Sequence, residues 1–242
     1  MKITFLGTSH GVPAADRNCA CTMIETGGAV YILDAGAPLM ELLIQHGVDV
    51  NKVRAVVTTH YHADHVAGIP HFACLASWYF KEMDVDIYLT EQRGLDVFAD
   101  PFGELNPERV RFHLMDAQAG YADGSIRFIP VPTKHLAAAG RPAYGYIVEA
   151  EGKRMLFTGD MSNRLAEDDF PAVSAEMDFD LIVSELAHFG VPEVEPYVHN
   201  CRTKQFTFTH VFPLSKYDDI EALKERVSFP ILCPADGDEL VL

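Results

Sequence analysis

Positive charge is in short supply: 19 Lys and Arg stand against 35 Asp and Glu, a formal net charge of −16 over 242 residues. Proteins that bind long nucleic acids need clustered cations on their surface. Here Arg202 with Lys204 and Lys224 with Arg226 form only short pairs diluted by acids. A long nucleic-acid partner is therefore disfavoured. The five cysteines (Cys19, Cys21, Cys74, Cys201 and Cys233) are odd in number and contain no CxxC pair. That excludes a locally encoded thiolate zinc site and a disulfide framework, and fits a reducing cytoplasm as the expected location. Cys19 and Cys21 could form a soft metal pair, but alternating strand positions account for them better. No apolar run approaches the roughly 20 residues that span a bilayer, so no membrane segment is expected. Met1 to Gly7 reads as a first strand and lacks the charged and apolar regions of a signal peptide. Linker-like tracts, repeats and low-complexity runs are also missing, so residues 1–242 are expected to form a single domain.

What is present is an alternation of strand-like runs and amphipathic segments. Ile3–Leu6, Thr22–Glu25 and Ala29–Leu33 read as strands, the last two joined by a Gly27-Gly28 turn. Pro38–His46, His71–Phe80, Glu91–Ala99 and Lys216–Arg226 read as helices. Asp86–Leu89, Ser125–Val131, Tyr144–Glu149, Arg154–Thr158, Leu181–Ser184 and Pro230–Cys233 complete the strands. Strands in runs, then strands alternating with helices, predict an α/β (α+β) fold of two packed sheets with helices outside.

The chemistry concentrates in His60-Tyr61-His62-Ala63-Asp64-His65, four ligand-type side chains in six residues after the apolar run Ala55-Val56-Val57. His60 and His62, two apart in an extended segment, point the same way. Asp64 and His65 open a helix and turn toward a different point, so one loop can serve two cations. Imidazole with carboxylate suits Zn²⁺ first, with Mn²⁺ and Fe²⁺ as alternatives. A histidine-rich surface loop would not need this spacing after a strand. Three further candidates each end a strand-like segment: His135, Asp160 after Thr158-Gly159, and His210 after Phe206–Thr209. Any one alone reads more simply as a surface or capping residue; their placement at strand ends gives them joint meaning.

In that order, His60-x-His62-x-Asp64-His65, His135, Thr158-Gly159-Asp160 and Thr209-His210 resemble the metallo-β-lactamase superfamily along essentially the whole chain. The resemblance implies a four-layer αββα sandwich with a dinuclear site, the two ions about 3.5–4 Å apart. One metal would take His60, His62 and His135, the other Asp64, His65 and His210, with Asp160 bridging. Aspartate rather than cysteine at 160 argues against the main antibiotic-hydrolysing members. Histidine rather than glutamate at 62 argues against the flavodiiron redox members. Leu6-Gly7-Thr8-Ser9-His10-Gly11-Val12-Pro13, Leu33-Asp34-Ala35-Gly36, His65–Pro70 and Pro234-Ala235-Asp236-Gly237-Asp238 look like the ribonuclease Z-like group. Asp34 resembles the residue that orients a ligand histidine there.

Two departures shape the expected function. Ribonuclease Z carries a long basic arm between its third histidine and bridging aspartate, whereas 24 residues separate His135 from Asp160, enough for a pair of strands. Ser184 stands where that group has the histidine before its glutamate, here Glu185, and His188 is the nearby substitute or else a helix-end histidine. The chain is also similar in scale to the cyclic-phosphate phosphodiesterase of phosphonate breakdown, without that relative's N-terminal cysteine pattern. The expectation is a metal-dependent hydrolase acting as a phosphodiesterase on a small phosphodiester through a metal-bridging hydroxide. Its candidate catalytic residues are Asp64, His188 and Glu185, with His10 or a bound water as other proton donors. A tRNA 3′-processing endoribonuclease, a lactone or ester hydrolase and a non-enzymatic metal-binding module are the alternatives. Homodimers are a family expectation to which no sequence feature assigns an interface.

Overall fold

The computed structural model describes all 242 residues, Met1–Leu242. The strands are β1 (Lys2–Gly7), β2 (Cys21–Thr26), β3 (Ala29–Leu33), β4 (Val53–Val57), β5 (Val85–Leu89), β6 (Val110–Leu114), β7 (Tyr121–Ala122), β8 (Arg127–Pro132), β9 (Tyr144–Ala150), β10 (Lys153–Phe157), β11 (Leu181–Leu186), β12 (Phe206–Val211), β13 (Ile231–Leu232) and β14 (Glu239–Val241). The helices are α1 (Leu39–Gln45), α2 (Ala63–Val66), α3 (Ile69–Trp78), α4 (Gln92–Phe98), α5 (Val173–Glu176), α6 (Val191–Asn200) and α7 (Lys216–Lys224). The chain forms two compact units, Met1–Asp116 with Ala235–Val241, and Ala117–Pro234. No helix is long and apolar enough to cross a membrane.

In the first unit a seven-stranded sheet runs β14-β1-β2-β3-β4-β5-β6. Its first strands pair antiparallel, and β3 to β6 pair parallel. The parallel strands β4 and β5 carry Val53, Ala55, Val56, Val57, Val85, Ile87 and Leu89, all buried, with Arg54 exposed and Asp86 and Tyr88 half-buried between them. Leu39, Leu42 and Leu43 of α1 and Ile69, Phe72 and Ala76 of α3 pack into one core with Met23, Ile32, Val56 and Ile87. Leu39, Leu42 and Leu43 are the periodic apolar positions that predicted α1, whereas α3 starts at Ile69, two residues before the apolar stretch that predicted it.

In the second unit the order is β13-β12-β11-β10-β9-β8-β7. Strands β10 to β13 are parallel, and β9 is antiparallel to both β8 and β10, so β8, β10, β11 and β12 all run in one direction. The segment between His135 and Asp160 holds a 3-10 turn at Ala137–Ala139 and then the β9–β10 hairpin. It closes at Glu151-Gly152, both left-handed at φ 51 and 72, the geometry of a tight primed turn. Ile182, Phe206 and Phe208 of the sheet share a core with Val194 and Val198 of α6 and Ile220 and Leu223 of α7.

The sequence did not reveal α6, because Pro192 and Pro196 weaken a helical reading. Pro192 in fact lies in the first turn, where its missing N–H costs nothing. The short edge strands β6, β7 and β14 also escaped it, since pairing with a neighbour, more than local pattern, makes them strands.

Candidate functional site

Within the first unit, β3 and β4 are parallel and deliver Asp34 and the His60–His65 loop from the same end of the sheet. Asp34 adopts a left-handed φ of 61, uncommon for a residue with a Cβ. Its carboxylate accepts hydrogen bonds from Thr59 N at 2.7 Å and Thr59 Oγ1 at 2.9 Å, and lies 2.9 Å from His65 Nδ1. Thr59 Oγ1 is also 3.1 Å from His60 Nδ1. The second nitrogen of each imidazole faces the donor cluster. His60 Nε2 is 3.0 Å from His62 Nδ1, and His65 Nε2 is 3.4 Å from Asp64 Oδ2. Two nitrogens bound to one tetrahedral zinc at about 2.0–2.1 Å lie about 3.3 Å apart, so this pair fits a shared ion. Gly36 makes the close approach possible: a Cβ there would stand 1.6 Å from the Asp64 carbonyl oxygen.

The cysteine pair does not join this cluster. Burial, followed by the nearby Asp64, pushes the Cys19 thiol up, and burial pushes Cys21 up strongly.

Within the second unit, His135, Asp160, the Glu185–His188 turn and His210 emerge at the ends of the codirectional strands β8, β10, β11 and β12. Asp160 Oδ2 is the hub, 3.5 Å from His210 Nε2 and 3.9 Å from both His135 Nε2 and His188 Nδ1. Ligand atoms of His135, Asp160 and His188 lie within 4.8 Å of one another, close enough to share an ion. His135 Nδ1 lies 3.1 Å from the Met161 carbonyl, the contact that fixes a ligand tautomer. Burial pushes the His135 imidazole below its ordinary pKa, against the pull of Asp160, favouring the neutral form that a ligand needs. His210 sits at a left-handed φ of 55 where the β11–β12 register slips between Glu185 and Leu186. A bulge re-aims a side chain in this way, and the backbone holds it despite the strain.

Glu185 and His188 form a pair that the sequence left unresolved. Both Glu185 carboxylate oxygens are 2.8 Å from His188 Nδ1. The same carboxylate accepts the backbone N–H groups of Met161, Ala187 and His188 at 2.8, 2.9 and 3.1 Å. His188 thus lies beside Asp160, in the turn that precedes α6. Thr59, which links Asp34 to two imidazoles, had no signal in the sequence beyond its place before His60.

Comparison with known proteins follows the same lines. Residues 14–198 match the Metallo-beta-lactamase superfamily. A ribonuclease Z of Shouchella clausii (strain KSM-K16) is 31% identical over 134 residues, 52% of this chain and 40% of that relative. The chain spans about half the length of the curated relatives it matches. Among solved structures, the metallo-beta-lactamase fold protein YhfI from Bacillus subtilis has a TM-score of 0.81 at 19% identity, over 99% of this chain and 98% of that one. A diphosphatase from the PhnP family has a TM-score of 0.71 at 20% identity, over 100% and 97%. At these identities the likeness establishes the fold alone, the metallo-β-lactamase fold that the resemblance implied. The match over residues 14–198, the fold and the two His/Asp clusters agree, and the chain belongs to the metallo-β-lactamase superfamily.

Proposed function

We propose that the two His/Asp clusters close on one dinuclear metal centre and that the protein is a phosphodiesterase acting on a small phosphodiester. His60, His62 and His135 would hold one ion, Asp64, His65 and His210 the other, and Asp160 would bridge them. Two bound divalent cations supply a water activated for attack near neutral pH and neutralise charge on the phosphoryl oxygens. Zn²⁺ suits the donor set best.

The chain's own residues do the rest. Asp34, Thr59 and the Met161 carbonyl fix which imidazole nitrogens face the ions. Asp64 orients the attacking water by hydrogen bonding. As the water, having released one proton to bulk solvent, adds to phosphorus and the bond to the leaving oxygen breaks, that oxygen takes a proton from His188 Nε2, which solvent then restores. The products are a monoester and an alcohol. Glu185, paired with Nδ1, stabilises the imidazolium that must exist before this transfer.

The observation that carries the choice of a small substrate is the tight β9–β10 hairpin, which with one short 3-10 turn takes up most of the interval between His135 and Asp160. The acidic balance of the chain supports it. The names ribonuclease Z and diphosphatase among its relatives support phosphoester chemistry.

The test is initial rates on bis(p-nitrophenyl) phosphate, a simple lactone and a precursor tRNA, using protein of known metal content reconstituted with Zn²⁺ or Mn²⁺. His62→Ala serves as the blank. Diester cleavage that is lost in the variant is the expected result. Turnover of the lactone alone, or of the tRNA alone, would replace this reading with the corresponding alternative.

A further inference from the structure

We propose that Lys216 is a positioning residue for proton transfer by His188: its ammonium holds the backbone of the turn on which that imidazole is mounted. The inference rests on the reading of His188 as proton donor.

The turn Leu186–Phe189 leads out of the end of β11, where Leu186 O still accepts from Phe212 N of the neighbouring chain segment at 3.4 Å. Lys216 Nζ donates to three of the turn's carbonyls, Leu186 O at 2.8 Å, Ala187 O at 3.1 Å and Phe189 O at 2.6 Å. The fourth, His188 O, accepts from Arg164 N at 2.9 Å. From the other polarity, Glu185 takes the N–H groups of Ala187 and His188. A carboxylate therefore gathers the donors of the turn, and an ammonium gathers its acceptors. Hydrogen bonds with a charged partner are roughly twice as strong as neutral ones. An ammonium's three N–H groups match three convergent carbonyls, whereas a neutral side chain of similar length does not.

The placement runs against local preference. Lys216 is the first residue of α7, where the helix dipole disfavours a cation. Burial lowers its pKa from the ordinary lysine value, and Glu185 and Glu193 counter that shift. A residue that breaks a local rule while its ammonium gathers three part-buried carbonyls is one that the surroundings require.

The experiment compares His188→Ala and Lys216→Met on two diesters, with metal content measured throughout. Bis(p-nitrophenyl) phosphate releases a phenolate that leaves readily without a proton. Diphenyl phosphate releases a poorer leaving group that needs one. A positioned proton donor contributes roughly 10²–10⁴-fold, so its misplacement should lower kcat on diphenyl phosphate on the order of tenfold more than on the nitrophenyl ester. His188→Ala should show the same bias, larger. Equal losses on both esters in Lys216→Met, or no loss on either, would overturn the proposal, because a general structural role carries no leaving-group bias. Bias in His188→Ala without bias in Lys216→Met overturns this inference alone. Absence of bias in His188→Ala removes the proton-donor reading and this inference with it. Should the methionine variant not fold, Lys216→Gln, which keeps a donor without the charge, takes its place with the same expectations.

Discussion

Asp34 Oδ2 lies 2.9 Å from His65 Nδ1 across 31 positions of sequence. Carboxylate–histidine contacts of this kind set the tautomer of a ligand imidazole and raise its basicity, and losing one costs about 10–100-fold in metal affinity. Asp34→Asn should weaken Zn²⁺ binding by that order in a competition titration against a chelating dye. Unchanged affinity would remove His65 from the ligand set or Asp34 from its support.

Metal removal should be visible in stability as well as in activity. A ligand present at about 100 times its Kd adds roughly 2.7 kcal/mol to a folded state that alone binds it. Stripping the protein with a chelator should lower Tm by about 5–10 °C, and Zn²⁺ should restore it. His62→Ala should lose most of this response. A wild-type Tm indifferent to chelator would argue that no tightly held ion is present.

Gly36 is set against the backbone of the metal loop, with an added Cβ falling 1.6 Å from Asp64 O. Backbone cannot yield as a flexible side chain does. Gly36→Ala should cost about 2–4 kcal/mol and lower Tm on the order of 10 °C in the metal-free protein. Calorimetry showing a neutral substitution would mean that the Asp34–Gly36 loop stands farther from Asp64.

A pH effect is expected away from the site. Burial alone would raise the Asp86 carboxyl, but hydrogen bonds from Arg111 at 2.8 Å and His113 at 2.7 Å bring it below its ordinary range. A depressed carboxyl contributes stability above its unfolded pKa of about 3.9, and this is lost as pH falls through the folded value. Asp86→Asn should therefore be less stable than wild type from about pH 5 upward, with the gap closing in acid. Partial exposure limits the gap to about 1 kcal/mol or less. Denaturant midpoints at several pH values check this, and a gap that widens in acid would contradict it.

The His60–His65 segment was legible because its ligand-type side chains are adjacent in sequence and follow the apolar run Ala55-Val56-Val57. Asp160 and His210 were legible only through their order, since each alone resembles a capping or surface residue. The Glu185–His188 contact was half legible: both residues stood out, but a pairing three positions apart depends on a turn that local pattern does not specify. Thr59 and Lys216 were invisible, because their roles consist of contacts to backbone and ring atoms brought near by the sheet. The helices α1, α3 and α7 came within about two residues of their ends, the usual limit of such boundaries. Helix α6 and the edge strands needed their neighbours.

The primed turn at Glu151-Gly152 has a wider bearing. Exposed tips of short hairpins accept inserted chain without disturbing the strands that flank them. Here the hairpin lies between His135 and Asp160 in sequence, so a graft at this tip would lengthen the reach of the molecule toward bulky partners while the candidate site residues at the strand ends keep their places. Scope and chemistry are separable in this chain, and the hairpin is the joint at which one can be exchanged without the other.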